Sequence, residues 1–410
     1  MKKEQISDSL NMLDDAIIEE TNEIRSHKKV QRKSWGAWAA AAACLALLAY
    51  AGIRVLPQQS QDIPTDLPLL TISEDNAGGM GFEGYIAYDI SELVNGNPWS
   101  ETMELTTLPV YQNRLTFDNL FVAFGVDFDA MRELLLETAG RLGLDTSSLV
   151  ITDNASEQEW LAREWKRYKE GDVPEEYYNP TKYMIETDGM TIEVDHTLTA
   201  AIWFDPPIAL PNEYNYTYYA PYEDFVKVAE YLKNEYSHLI GMEDPQTDIK
   251  GGDYNIYLDQ DYNISFYDAA DDDISRIINY NFNPVTFYSD PYGKLRFVRI
   301  YRPDLSQKVG DYPIITADAA REHLLAGNFI TSVPYDMPGS DYIKKVELIY
   351  HTGELDQYFI PFYRFYVEVP DAGYPEELEN SGVKTYGTYY VPAVEGRYLT
   401  NMPVWDGQIN

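Results

Sequence analysis

The feature that most constrains this chain is Trp35–Ile53, nineteen consecutive residues without a charge. At about 1.5 Å per residue a helix of that length reaches roughly 28 Å, close to the hydrocarbon thickness of a bilayer. Lys28, Lys29, Arg32 and Lys33 precede it. Arg54 follows, and no further Lys or Arg occurs until Arg114. Basic residues collect on the cytoplasmic side of a span, so the amino terminus is expected inside and the carboxyl terminus outside. Trp35, Trp38 and Tyr50 lie near the two ends, where amphipathic rings favour the interface.

A cleaved leader carries a short charged region and an apolar core of about 7–15 residues. Here 34 mostly polar residues come first, and the core is longer. Ala41-Ala42-Ala43-Cys44 would suit lipid attachment at Cys44, but the apolar run continues beyond it. The expectation is therefore an uncleaved transmembrane helix over 35–55.

Charge divides along the same line. Residues 1–34 carry seven bases and seven acids, so the whole net charge of −36 falls on the remainder. Such a surface repels phosphate backbones and anionic headgroups, which argues against a nucleic-acid partner. One cysteine in 410 residues rules out a disulfide framework. A large exterior without disulfides points to a bacterial envelope.

Within residues 1–34 the apolar positions Ile6, Leu10, Leu13, Ile17 and Ile24 recur at spacings of four, three, four and seven. That spacing predicts a helix with one apolar stripe. Nothing else in the tail could bury the stripe, which makes Ile6, Leu10, Leu13 and Ile17 the expected partner-binding residues, with a frayed juxtamembrane helix lying near the headgroups as the competing reading.

Residues 56–80, rich in Pro, Gln, Asp and Gly, read as a stalk. Beyond it three amphipathic helices are expected, over Asp127–Leu142, Tyr222–Leu239 and Ala317–Ala326. Each leads into β-patterned segments. Asp188-Gly189 marks a tight hairpin, and "YNIYLD", "YNISFYD", "INYNFNPVTFYS" and "KLRFVRIYR" read as strands. A repeated helix-then-meander unit implies an α+β fold with helices packed on antiparallel sheets. The expected division is an α+β domain over 81–305 and a second over 306–410.

No catalytic signature stands out. None of the five histidines belongs to an H-E-x-x-H pattern, no G-x-S-x-G occurs, and the lone cysteine sits in the span. No cofactor is expected. His196 falls on a strand pattern and reads as structural. Asp259, Asp261 and Asn263 alternate as D-x-D-x-N, and calcium can be held by alternating oxygen ligands on a loop. The glycine of an EF-hand loop is missing and Ala270 stands at its twelfth place, so a polar hairpin is the competing reading. "NEYNYTYYAPYEDF" places five tyrosines in residues 214–222, suited either to stacking on a ligand or to closing over the second helix.

"ITADAAREHLLAG" and "KKVELIYHTGELDQYFIPFYRFYVEV", with their helix, strand pair and P-x-Y-x-F strand, resemble the carboxyl-terminal unit of YycH/YycI-type, PepSY-like extracytoplasmic regulators. The layout of short inner tail, single span and acidic exterior is also similar. The leader "ISDSLNMLDDAIIEE" with the basic run and alanine-rich span resembles those of clostridial anti-sigma-factor membrane proteins. These resemblances imply a sensory exterior modulating a sigma factor or a sensor histidine kinase. A wall-facing carbohydrate- or peptide-binding protein, or a hydrolase with an acidic site, is the alternative.

Overall fold

The computed structural model describes residues 67–72, 83–217, 219–370, 372, 378 and 380–407. The expected inner tail with Ile6, Leu10, Leu13 and Ile17, and the expected span over 35–55, lie outside these residues. Among the described residues no helix is long and apolar enough to cross a membrane.

Along the chain come β1 (Gly84–Ala87), β2 (Thr107–Gln112), β3 (Thr116–Phe117), β4 (Ala123–Phe124), α1 (Phe128–Arg141), β5 (Thr152–Asp153) and α2 (Glu159–Tyr168). They are followed by β6 (Lys182–Thr187), β7 (Met190–Asp195), β8 (Thr199–Ile208), α3 (Tyr222–Glu235), α4 (Ser237–Ile240), β9 (Pro245–Tyr254) and β10 (Gln260–Asp268). The remainder is α5 (Asp273–Phe282), β11 (Val285–Ser289), β12 (Leu295–Tyr301), β13 (Lys308–Pro313), α6 (Ala317–Leu325), β14 (Ile343–Tyr350), β15 (Tyr358–Phe359), β16 (Pro361–Glu368) and β17 (Lys384–Pro392).

The fold is α+β with antiparallel sheets. Eight strands form one sheet in the order β5-β6-β7-β8-β12-β11-β10-β9. One face of it carries Ile192, Ile202, Val298, Phe287 and Ile264, which pack against Met131 and Leu135 of α1 and Phe225, Val228 and Leu232 of α3. Each such side chain, fully buried, contributes roughly 1.5–3 kcal/mol. A four-stranded sheet, β1-β17-β16-β14, buries Leu348, Phe365, Tyr389 and Val391 against Ala320 and Leu324 of α6 and Ile277 and Phe282 of α5. A smaller sheet runs β13-β2-β15.

The helix starts follow their caps. Asp127 accepts from Ala130 N at 2.9 Å ahead of α1, and Thr316 accepts from Ala319 N at 3.2 Å ahead of α6. The helix expected over Tyr222–Leu239 breaks at Tyr236 into α3 and α4, and Gly241 ends it in the left-handed region. The Asp188-Gly189 hairpin joins β6 to β7, with Thr187 opposite Met190.

Four expectations are corrected. The start of "INYNFNPVTFYS" is helical, because Asp272 caps α5 by accepting from Ser275 N at 2.9 Å and Ile277 and Phe282 point into the core. "YNIYLD" is mostly turn: Asn255 Oδ1 accepts from Tyr257 N at 2.8 Å and Asp259 N at 3.1 Å, which folds the chain back before β10. Within the expected stalk, Leu70 and Ile72 are buried beside Tyr312 and Tyr398, because this short apolar alternation finds a partner in a parallel bridge to Leu399. The boundary expected at 305/306 does not follow the sheets. Gly84–Ala87 pairs with β17 and Thr107–Gln112 with β13 and β15, and residues 63–410 group as one unit.

A strap over residues 93–99 protects two sheet edges. Val94 and Gly251 exchange backbone hydrogen bonds of 3.0 and 3.2 Å along the outer edge of β9, and Gly96 N donates to the buried Asp248 carboxylate at 2.6 Å. Asn97 donates to the Leu348 carbonyl at 3.1 Å on the outer edge of β14, where Asn281 also accepts from Tyr350 N. Unpaired backbone groups on these edges would otherwise template pairing with another chain.

Candidate functional site

The second face of the eight-stranded sheet carries no helix α1 or α3, and its outward residues fall in two cross-strand rows. Strand register aligns Asp248, Ser265, Thr286, Arg299, Ala201 and Glu193 in one row. Lys250 opposite Asn263, and Tyr288, Phe297, Trp203 and Thr191, form the next. Two residues along a strand separate the rows, about 6.8 Å.

The second row holds a ring stack. Tyr288 lies on Phe297 with centroids 4.2 Å apart and planes at 8°, and Phe297 lies on Trp203 at 4.4 Å and 24°. Trp203 Nε1 donates to Glu193 at 2.9 Å, and Lys182 pairs with the same carboxylate at 3.0 Å. Arg296 sits 6.0 Å from the Trp203 ring centre.

Where the rows reach β10–β12, the face is walled into a cleft of about 350 Å³. One wall is Asn113–Leu115 with Gly125 and Asp127, another is Thr352–Glu354, and a third is His196–Leu198. Much of the polar lining is already engaged within the protein. Asn113 donates to the Glu354 carbonyl and accepts from Leu115 N. Asn281 bonds Tyr350 N and the Ile277 carbonyl. Ser265 and Thr286 share one hydrogen bond of 2.9 Å. Arg114 pairs with Asp304 at 2.7 Å and Asp127 at 3.6 Å. Burial would raise the Asp304 carboxyl, but hydrogen bonds from Ser306 and the Arg114 guanidinium outweigh it and hold it below the usual range. Lys250 pairs with Asp248 at 3.1 Å and lies over Tyr280.

A few groups remain without such partners among the described residues. The exposed Arg299 guanidinium makes no ion pair there and only lies 5.9 Å from the Tyr301 ring centre. Among the described residues the Asn263 side chain, the Tyr288 hydroxyl and the Glu354 carboxylate have no hydrogen-bond partner. His196 Nε2 is buried without a partner, while Nδ1 faces the Thr181 carbonyl at 3.4 Å and the ring packs on Phe117.

Of the residues singled out in the sequence, Asn263 lines the cleft. Asp259 closes the β9–β10 turn and Asp261 lies on β10, and neither lines the cleft. Among the described residues no three His, Cys, Asp or Glu side chains group so as to hold a metal ion. Within the tyrosine-rich segment Tyr216 is buried and donates to the Phe287 carbonyl at 2.8 Å, Tyr214 lies on Tyr231, and Tyr222, itself exposed like Tyr219, packs on Tyr262. Arg299, Tyr288, Phe297 and Trp203 line or adjoin the cleft and are not singled out by any motif in the sequence. The alternation in "KLRFVRIYR", with Phe297, Arg299 and Tyr301 on one face, is the signal that carries them.

No family model matches this chain, and no curated protein matches it.

Proposed function

We propose that the chain is a single-pass bacterial membrane protein whose exterior is a ligand-binding sensory module, and that its inner tail modulates a sigma factor or a sensor histidine kinase. The observation that carries the sensory part is the cleft. Arg299, Asn263, the Tyr288 hydroxyl and Glu354 line it, and among the described residues none of these side chains has a hydrogen-bond or ion-pair partner. Recognition sites are concave and hold a few polar groups that await a ligand. The charge asymmetry around 35–55 supports the topology, and the resemblance to YycH/YycI-type regulators and anti-sigma-factor leaders supports the signalling role.

Binding is favoured over turnover. Among the described residues no hydroxyl or thiol is hydrogen-bonded to a histidine nitrogen, the arrangement that activates a nucleophile. His351 pairs with Asp356, and its ring packs on Phe362. The cleft carboxylates Asp127 and Asp304 are both tied to Arg114.

The test uses the full chain in its own membrane. A photo-crosslinking residue at Leu10 or Ile17 captures a sigma factor or a sensor kinase, and changing both residues to Asp abolishes the transcriptional response at unchanged protein level. An unchanged response in that double variant defeats the signalling role. A phosphatase or β-lactamase reporter fused after Asn410 is active only outside the cytoplasm, and cytoplasmic activity reverses the topology.

A further inference from the structure

We propose that the cleft takes a carboxylated sugar, its ring stacked on Tyr288, its carboxylate on Arg299 and its hydroxyls on Asn263 and Glu354. This deepens the reading of the cleft as a ligand site and rests on it.

The two rows supply two kinds of contact side by side. One face of the Tyr288 ring is taken by Phe297. On its other side stands β10, which presents the short polar Asn263. The terminal ring of a stack beside a small residue is a platform for a flat, partly apolar ligand face, and the C–H face of a pyranose is one. The neighbouring row places Arg299 and the Ser265–Thr286 hydroxyl pair about 6.8 Å away. A substituent projecting from the edge of a stacked ring meets that row.

The charge of the ligand follows from Arg299. A stack of Trp203, Phe297 and Tyr288 across three strands stabilises a sheet by itself. That stack makes no use of Arg299, which lines the cleft two residues from Phe297 without a carboxylate partner among the described residues. A guanidinium binds a carboxylate with two parallel hydrogen bonds. The surrounding negative field disfavours polyanions, so a ligand with an isolated carboxylate fits better than a phosphate-rich one. Glu354 and Asn263 then serve as acceptor and amide for hydroxyls.

A peptide is the rival ligand. Extended peptides commonly bind by adding a strand to a sheet edge. The cleft lies on a sheet face, and the outer edges of β9 and β14 are taken by Val94, Gly96 and Asn97. Its lining is rich in amide, hydroxyl and charged groups, which suit a polar ligand.

The experiment is calorimetric titration of the detergent-solubilised full chain with glucuronic acid, N-acetylmuramic acid, glucose, N-acetylglucosamine and the tripeptide Ala-Ala-Glu. At least one acidic sugar binds about tenfold or more tightly than its neutral counterpart. Arg299→Gln removes that preference, and Tyr288→Ala weakens binding of acidic and neutral sugars alike. Arg299 is exposed and Tyr288 half-buried, and unchanged thermal unfolding of both variants confirms folding. Equal affinity for acidic and neutral sugars, or no sugar binding, overturns the ligand class. Peptide binding lost with Arg299→Gln overturns the sugar but keeps the cleft. Sugar binding indifferent to both variants overturns the cleft itself.

Discussion

Arg364 meets Glu347 at 2.5 Å on the four-stranded sheet, where Glu347 is only 3 % exposed. Lys345 at 2.7 Å, Asn95 at 2.7 Å and the Tyr366 hydroxyl at 3.3 Å also bond the same carboxylate. Removing one partner of a buried pair leaves an uncompensated charge, whereas removing both together costs far less. Arg364→Leu should destabilise the protein by about 3–5 kcal/mol. Glu347→Leu combined with Arg364→Leu should recover much of that loss. Urea unfolding of the two variants measures the difference, and equal losses would mean that the pair is not coupled.

Two carboxyl groups give opposite pH dependences. Burial raises Glu347, but Arg364 and Lys345 outweigh it and hold it at about 2. Its folded value is depressed, so its contribution is present above the unfolded value near 4.5 and is lost as pH falls towards 2. Burial raises Asp253 to about 6, opposed by the hydrogen bond from Ile86 N and reinforced by Asp261. Its folded value is raised, so its contribution is full below pH 3.8 and is lost as pH rises through 6. Asp253→Asn stays neutral and can still accept from Ile86 N. It should match the native chain below pH 4 and exceed it in melting temperature above pH 6. A lower melting temperature than native at pH 7 would count against this assignment.

Gly252 holds the strap. Its φ is +102°, and a Cβ there would stand 1.8 Å from the Glu92 carbonyl oxygen. Gly252→Ala therefore adds a backbone clash to the left-handed strain, a loss of more than about 1 kcal/mol. Hydrogen exchange at Val94 and Ile86 should accelerate before exchange in β12. Uniform acceleration throughout would show that the strap unfolds only with the rest.

Calcium should produce no saturable stabilisation through Asp259, Asp261 and Asn263. A bound ion would raise stability by roughly 2.7 kcal/mol at a hundredfold excess over its dissociation constant. Melting of the native chain and of Asp261→Ala over a calcium series should coincide. A saturable rise lost in Asp261→Ala would establish a metal site on the hairpin.

The elements legible in the sequence are those decided by neighbours within a turn or two. Asp127 and Thr316 cap their helices, Asp188-Gly189 turns its hairpin, and the alternation of "KLRFVRIYR" sets one face inward. The same local logic fails at "INYNF", where the Asp272 cap and core positions of α5 prevail over β-favouring residues.

What only the tertiary structure decided is which distant groups meet. Gly84–Ala87 joins β17 some three hundred residues on, and Asn97 reaches Leu348, so the domain boundary cannot be placed by reading along the chain. The site is of this kind. That Arg299 faces outward is written in its strand, but that it lacks a carboxylate partner, while Arg114 and Lys250 in the same cleft have theirs, depends on contacts of a few ångström between remote segments. Propensity and periodicity act over four or so residues, and ion pairing acts through space. The sequence by itself determined the charge balance, the apolar run and the helix-and-sheet character, and the packing of distant segments decided where a ligand could be held.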